Sequence, residues 1–163
     1  MNGASLFVVR QAAERDLDAL TAFEITIAKI SFGDGAITDP AVHRGKLEKA
    51  LVREQENMFV AADAEDRAVG FLWLALNINF LTQDRYANLR SLAVDPARED
   101  REQIGQALLD EGLAFARRAG VTTVTGKVHV DNYPMRMLYR RTGFLPTTLT
   151  MRARLDDGDG APA

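Results

Sequence analysis

The chain has 163 residues, of which 47% are hydrophobic, and its formal net charge is -3; this length and composition favour one domain with a buried core. We expect neither a nucleic-acid partner nor a membrane-surface partner, because a chain with net negative charge has no global positive field to attract phosphate groups. Since there is no cysteine and there are only 2 histidines, disulfides, thiol catalysis and thiolate metal ligands are excluded, and we expect no metal site.

The predicted elements begin with a strand and two helices. Residues 1–11 show no basic region followed by a long apolar one, and no apolar run in the chain reaches the roughly eighteen residues of a membrane span, so we expect a cytoplasmic protein. Residues 6–10 form a β-branched and aromatic run that predicts a strand. Helical spacing of apolar residues predicts a first helix over residues 17–30. Asp39 as N-cap, followed by a proline, predicts a second helix over residues 40–54.

Three strands, a helix and a fourth strand follow. Residues 58–62 and 68–76 flank a turn-rich gap, which predicts an antiparallel hairpin. Residues 86–94 have the composition of a strand. The amphipathic pattern of residues 104–120, closed by a glycine, predicts a helix, and the β-branched residues 121–130 predict another strand. This strand, helix and strand form a crossover unit that places two parallel strands side by side.

The chain is expected to close with a short helix within residues 132–143, with Pro134 near its start and Gly143 past its end, and a strand over residues 144–155. The element order is then β-α-α-β-β-β-α-β-α-β, which indicates an α/β fold with a mixed sheet in a single domain, residues 1–155. Residues 156–163 combine acidic residues with glycine, proline and alanine. They contain nothing to bury, so we expect a disordered acidic tail.

The stretch REDREQIGQALL, which begins at Arg98, lies where the first strand of the crossover leads into its helix. Ligands of open α/β sheets bind at this position. Unpaired backbone N–H groups and the helix dipole stabilise an anion there by roughly 0.3 to 1 kcal/mol. Gly105 permits close approach of the backbone, and Arg98 and Arg101 offer charge-assisted contacts. Taken alone, the same residues also fit a solvated loop in which Asp100 or Glu102 caps the helix.

A second motif lies downstream, where residues 128–144 contain N-x-x-M-x-x-L-Y-x-x-x-G-F. Together with the preceding VDP, the glycine-containing helix start and ALL, this order and spacing resemble the GNAT superfamily of acyl-CoA-dependent N-acetyltransferases. The resemblance extends from about Leu89 to Phe144. It implies a GNAT-like, mostly antiparallel mixed sheet with a central βαβ crossover and flanking helices, acetyl-CoA as cosubstrate, and an amine acceptor.

The resemblance also implies which residues hold acetyl-CoA. In similar proteins the turn before the helix reads Q/R-x-x-G-x-G/A and wraps the pyrophosphate. Placing its final glycine on Gly105 puts Asp100 at the basic position and Gln103 at the central glycine. A glutamine in a left-handed conformation costs roughly 1 to 2 kcal/mol, so either the local backbone differs or fewer N–H groups reach the phosphates. The residues implied to contact the cosubstrate are Leu92, Ala93, Val94, Arg98, Arg101, Gln103, Ile104, Gly105, Gln106, Asn132 and Tyr139.

Several of these positions have distinct implied roles. The N–H near Leu92 is an oxyanion donor, and Val94 pairs with the pantetheine arm as a strand would. Asn132 matches an asparagine that faces the cofactor, although an ordinary helix N-cap explains it equally well. Tyr139 falls at the position where similar enzymes carry the general acid. A phenol with a pKa near 10 stays protonated at neutral pH and can protonate the departing CoA thiolate, whose thiol has a pKa near 8.5. The alternative for Tyr139 is a half-buried packing role.

The acceptor amine must lose a proton before it attacks. Glu24 lies on the apolar stripe of the first predicted helix, so we expect it to face inward and to serve as base or amine anchor with a raised pKa. A glutamate at the edge of the stripe that reaches solvent is the simpler alternative. His129 is a rival base. Three aromatic side chains either line an acceptor pocket or cover the core: Phe32, Phe80 and Tyr86.

Two functions fit the sequence. The first is an N-acetyltransferase in which a small-molecule or peptide amine attacks acetyl-CoA directly while both are bound. The second is a non-catalytic module of the same fold, with regulatory or protein-interaction functions, in which the altered residues Asp100 and Gln103 weaken or abolish acyl-CoA binding. A homodimer through an exposed strand edge or the closing strand is compatible with either function.

Overall fold

The computed structural model describes residues 6–156. Their core is a five-stranded sheet in the order β1-β2-β3-β4-β5, with strands β1 (Val8–Gln11), β2 (Met58–Ala62), β3 (Ala68–Ile78), β4 (Arg85–Val94) and β5 (Thr123–Gly126). Neighbouring strands from β1 to β4 are antiparallel, and β5 is parallel to β4. The helices are α1 (Leu17–Phe32), α2 (Pro40–Glu54), α3 (Arg101–Arg118) and α4 (Tyr133–Arg141). The predicted α/β class, with a mostly antiparallel sheet and a central β4-α3-β5 crossover, is confirmed.

Two hydrophobic layers sandwich the sheet. Alternation of side chains along β3 directs Leu72 and Leu74 into the cluster that contains residues of α3 and α4. Phe71 and Trp73 enter the other cluster, with residues of α1 and α2. The sheet therefore separates an α1/α2 face from an α3/α4 face, and any opening in the sheet joins the two.

The helix boundaries follow the local sequence signals. The Asp39 side chain accepts a hydrogen bond of 2.9 Å from the Ala41 N–H at the start of α2, with Pro40 in the first turn. Gly120, with φ of +76°, follows α3 in a conformation that favours glycine. No helix among residues 6–156 is both long and apolar enough to cross a bilayer.

The last two predicted strands differ from the structure. Only Thr123–Gly126 of the predicted strand 121–130 pairs with β4. The predicted closing strand over 144–155 is wrong, because within the described chain the backbone after Phe144 forms no hydrogen bond with the sheet. A strand requires a partner for its N–H and C=O groups, and no strand formed by residues 6–156 pairs with this segment. The predicted acidic tail, apart from the exposed Asp156, falls outside the described residues.

Candidate active site

An opening in the sheet lies between β4 and β5. The two strands pair from Tyr86 with Thr123 to Leu89 with Gly126. β4 then continues to Val94, and no described strand lies beside its last residues on that side. An unpaired strand edge binds an extended ligand through backbone hydrogen bonds. The opening is therefore a fork whose apex is Gly126 and whose β4 edge leads toward the start of α3.

The Tyr139 side chain lies at the apex of this fork. Its hydroxyl contacts Gly126 so closely that a Cβ atom at position 126 would overlap the phenol. Tyr139 is only 8% exposed, and its ring packs against Phe144 with 4.8 Å between the ring centroids. Burial raises the pKa of Tyr139 to about 12. The hydroxyl therefore keeps its proton at neutral pH and is available as a hydrogen-bond donor beside the fork.

The other end of the β4 edge leads to the N-terminus of α3. Asp100 occupies the N-cap position but makes no side-chain cap hydrogen bond. Its carboxylate instead accepts two hydrogen bonds, of 2.8 and 2.9 Å, from the Arg98 guanidinium. This pairing lowers the pKa of Asp100 and raises the pKa of Arg98. Because no side chain caps the helix, the N–H groups of its first turn and the positive end of its dipole remain available to an anion.

The altered turn has a different backbone from a glycine-rich loop. Gln103 lies in the first turn of α3 and does not have a positive φ, so it carries no left-handed strain. The N–H of Ile104 already donates to the Asp100 carbonyl at 3.0 Å. Donors for an anion are therefore found at residues 101–103, immediately before Ile104 and Gly105. Arg101 is exposed there, and its guanidinium donates to the Arg98 carbonyl at 3.2 Å.

Gly105 and Gln106 lie where α3 approaches α4. A Cβ atom at Gly105 would lie 3.2 Å from Cδ2 of Leu138, so the glycine allows the two helices to come close. Gln106 donates to the Asp110 carboxylate at 2.9 Å. Gln106 also borders a shallow groove between the helices, together with Glu102, Gln103, Ala107, Asp110 and Arg141.

The residues at the end of β4 border the fork with their backbone. The side chains of Leu92 and Val94 pack into the hydrophobic cluster beneath α3 and α4. Ala93 pairs with Phe71 of β3. Their packing fixes the edge in place, while their side-chain chemistry adds little to the fork itself.

Glu24 approaches β4 from the α1/α2 face, opposite to Tyr139. It is 5% exposed, so the prediction that it faces inward is confirmed. One carboxylate oxygen accepts a hydrogen bond from the Ser91 hydroxyl, and the other lies 3.4 Å from Nζ of Lys46. Because Ser91 immediately precedes Leu92, the carboxylate lies next to the β4 backbone that borders the fork.

The remaining candidates have local partners. Asn132 is the N-cap of α4, where its side-chain oxygen accepts from the Met135 N–H at 3.3 Å. His129 is about half exposed, with Nδ1 accepting from the Asp131 N–H at 3.2 Å. His43, to which the sequence assigns no role, is buried, and its Nε2 lies 2.7 Å from the Ile37 carbonyl oxygen.

The aromatic residues predicted on the acceptor side do not behave as a group. Phe32 and Phe80 are 69% and 90% exposed, so neither covers the core. Tyr86 is half-buried on β4, where it pairs with Thr123 of β5.

Two residues of the site do not emerge from the sequence motifs. Gly126 carries a recognisable signal, since a glycine within a strand marks close approach of another group. Ser91 carries none, because its hydrogen bond joins residues 67 positions apart in the chain.

Comparison with known proteins identifies the family. Residues 25–144, more than half of the chain, match the model of the acetyltransferase (GNAT) family. The chain belongs to the GNAT family. A mycothiol acetyltransferase from Clavibacter michiganensis subsp. michiganensis is 34% identical to this GNAT protein over 97 residues, which cover 60% of this chain and 29% of that protein. The matches span about a third of the length of such curated relatives.

Solved structures share the fold of this GNAT chain. One, described as a probable acetyltransferase, has a TM-score of 0.71 and 24% identity, with 94% of this chain and 99% of that chain covered. Glucosamine-6-phosphate N-acetyltransferase from Arabidopsis thaliana has a TM-score of 0.66 and 15% identity, with 92% and 99% covered. At these identities the likeness concerns the fold alone.

Proposed function

We propose that this GNAT protein is an N-acetyltransferase that transfers the acetyl group of acetyl-CoA to a primary amine by direct attack, with both substrates bound together. The observation that carries the proposal is the buried Tyr139 hydroxyl at the apex of the β4–β5 fork, against Gly126. Family membership and the mycothiol acetyltransferase relatives support acetyl transfer in general. The catalytic roles below follow from the GNAT resemblance, and the positions of Tyr139 and Glu24 beside β4 support them.

The cosubstrate fits the fork and the helix start that follows it. We assign the pyrophosphate to the free N–H groups of residues 101–103, with Arg101 as a further cation. The pantetheine arm lies along β4 from Leu92 to Val94, where backbone groups offer strand-like hydrogen bonds. The groove bordered by Gln103 and Gln106 continues from the same helix end. Acetyl-CoA supplies the activated acetyl group as a thioester.

We assign the two polar side chains beside the fork to different steps: Glu24, on the α1/α2 face, to the amine, and Tyr139, on the α3/α4 face, to the leaving sulfur. The backbone N–H near Leu92 stabilises the negative charge that develops on the carbonyl oxygen. The acceptor, anchored by Glu24, attacks as the neutral amine; once its nitrogen has bonded to the carbonyl carbon it is acidic, and Glu24 accepts the proton that it releases. The oxyanion then re-forms the carbonyl group, the carbon–sulfur bond breaks, and CoA leaves as a thiolate that accepts a hydrogen bond from the Tyr139 hydroxyl. With a pKa of about 12, the phenol stabilises sulfur through its hydrogen bond and does not accumulate as phenolate.

The first experiment asks whether acetyl-CoA binds. Thermal unfolding is measured with increasing acetyl-CoA, and a ligand at 100 times its Kd should raise stability by about 2.7 kcal/mol. Release of free CoA is then followed with a thiol reagent and a panel of amines. Because the chain has no cysteine, the protein itself gives no background in this assay. Saturable release that depends on the amine supports the enzyme.

The alternative is a non-catalytic GNAT module. It is favoured by the carboxylate of Asp100, which lies at the N-cap where phosphate would bind. Its charge is, however, paired with Arg98 in two hydrogen bonds. Absence of any thermal shift at millimolar acetyl-CoA would contradict the enzyme and favour the module.

The proposal includes assembly as a homodimer. Apolar or small residues occupy alternate positions of 145–155, the pattern of a half-buried strand. Leu145 and Leu155 are nevertheless 80% and 93% exposed. β5 is an edge strand of the described sheet. We infer that segment 145–155 of each copy pairs with β5 of the other. Light scattering should show a dimer that becomes monomeric when the chain is truncated after Phe144; a monomeric full chain would contradict this arrangement.

A further inference from the structure

Two cationic side chains surround the buried indole of Trp73 on the α1/α2 face. Trp73 is 1% exposed. Nζ of Lys46 lies 5.2 Å from the ring centroid, and Cζ of Arg90 lies 4.4 Å from it. Both distances are within the range of cation–π attraction. The same Lys46 contacts Glu24, so the ring, the two cations and the proposed amine anchor form one cluster, here called the acceptor cluster.

A β-bulge places Arg90 in this cluster. Trp73 pairs with Ser91, whereas the next residue of β3, Leu74, pairs with Leu89. Arg90 is therefore an extra residue without an opposite partner. Bulges redirect side chains and are frequent beside active sites. In this chain the bulge allows Arg90 to reach Trp73 while its neighbour Ser91 donates to Glu24.

The charges of the acceptor cluster do not cancel. Glu24 lies 3.4 Å from Lys46 and compensates its positive charge. Arg90 is exposed, and among the described residues its guanidinium forms no ion pair and no side-chain hydrogen bond. The positive charge of Arg90, over the Trp73 ring, is therefore left over. The indole N–H of Trp73, on the same ring, is also buried without a hydrogen-bond partner within residues 6–156.

A free guanidinium matches oxyanions in particular. Its planar N–H groups bind a carboxylate or a phosphate through two parallel hydrogen bonds. The cation–π contact with Trp73 restricts the Arg90 side chain, so less conformational entropy is lost when an anion binds. The cluster thus offers one carboxylate for an amine and one arginine for an anion.

We propose that the acceptor of this enzyme is an amine that also carries a carboxylate or phosphate group, and that Arg90 binds this oxyanion while Glu24 binds the amine. The inference rests on the proposed N-acetyltransferase function and adds the class of its acceptor. Arg90 would determine specificity without touching the reacting carbonyl group.

Binding can be measured without turnover, because Trp73 is the only tryptophan of the chain. Its fluorescence is titrated with β-alanine, with phosphoethanolamine and with the uncharged comparison β-alaninamide. We expect saturable changes with at least one anionic amine, at a Kd about tenfold or more below that of the amide. Comparing β-alanine with phosphoethanolamine distinguishes recognition of a carboxylate from recognition of a phosphate. Equal affinity for all three amines, or no change with any of them, would overturn the proposal.

Variants at position 90 test the residue itself. Arg90→Gln should remove the roughly tenfold preference for the anionic amine and leave the affinity for β-alaninamide unchanged. Arg90→Lys, which keeps the charge but loses the planar fork, should retain part of the preference. The matched control is Arg53→Gln, at an exposed arginine of α2 for which the described chain shows no ion pair; it should behave as the wild type. A preference that survives in Arg90→Gln would refute the role of Arg90.

The two proposals fail differently. If the anionic amine binds at Trp73 and no amine is ever acetylated, the N-acetyltransferase function is wrong and the anion site stands. If β-alaninamide and other uncharged amines are acetylated as well as the anionic ones, the enzyme stands and the acceptor class is wrong.

Discussion

Gly126→Ala tests whether the position of the Tyr139 hydroxyl is responsible for catalysis. An added Cβ would lie 2.6 Å from Cζ of Tyr139 and 3.2 Å from Cε1. Ordinary contacts between such atoms are about 3.6 Å, so the ring must move by about 1 Å. Misplacement by about 1 Å costs roughly 100-fold in rate. We therefore expect kcat to fall by about two orders of magnitude, with little change in the affinity for acetyl-CoA.

A double-mutant cycle tests whether the loss of kcat in Gly126→Ala arises through the Tyr139 hydroxyl. Tyr139→Phe keeps the ring and removes the proton, and it should lower kcat by about 100-fold or more. If both substitutions act through the hydroxyl, the double variant should be no slower than the slower single variant. Gly45→Ala is the control, because a Cβ at Gly45 of α2 meets no atom within 4 Å. Full activity in Gly126→Ala, or losses that multiply in the double variant, would refute the reasoning.

Three further predictions concern the proton donor, the amine anchor and the helix start. With increasing pH, kcat/KM should rise as the amine loses its proton. It should not fall around pH 10, where an ordinary phenol ionises, because the pKa of Tyr139 is raised to about 12. A decrease of kcat/KM centred near pH 10 would contradict this. Glu24→Gln should lower kcat by about 100-fold and leave acetyl-CoA affinity unchanged in calorimetry; unchanged kcat would remove Glu24 from the mechanism. Arg98→Gln should weaken acetyl-CoA binding by about tenfold, because the charge of the Asp100 carboxylate is then uncompensated. The double variant Arg98→Gln/Asp100→Asn should restore the affinity. Equal affinity in the wild type and both variants would mean that phosphate does not bind at the start of α3.

Local periodicity in the sequence was sufficient for most elements. It identified the helices, the β2–β3 hairpin and the β4-α3-β5 crossover, because each is determined by spacing of apolar residues and by caps. It also placed Glu24 on the inward face of α1. It did not identify the partners of that carboxylate, since Ser91 and Lys46 reach it through contacts between separate elements. Such contacts depend on how elements pack, which a single sequence does not encode in its spacing.

The closing strand was wrong for a related reason. The alternation in residues 145–155 is real, and Leu149 and Met151 both fall on its apolar side. Alternation describes which side of a strand is buried, but a strand forms only where a second strand accepts its hydrogen bonds. Within the described chain no such partner lies beside it. The predicted strand over residues 121–130 was too long for the same reason: its pairing with β4 stops at Gly126, where the fork opens, and so β5 ends there.

The unusual turn before α3 is compatible with anion binding for a reason that the sequence alone conceals. In a glycine-rich turn, residues with positive φ direct successive N–H groups at a phosphate. Here Gln103 is helical, so its side chain imposes no strain. The donors are instead the free amides that every helix start exposes, and they stay free because Arg98 holds the Asp100 carboxylate away from capping them. In the proposed anion site Arg98 would therefore act by pairing with the carboxylate at the N-cap position, which is why its loss and the loss of Asp100 should cancel.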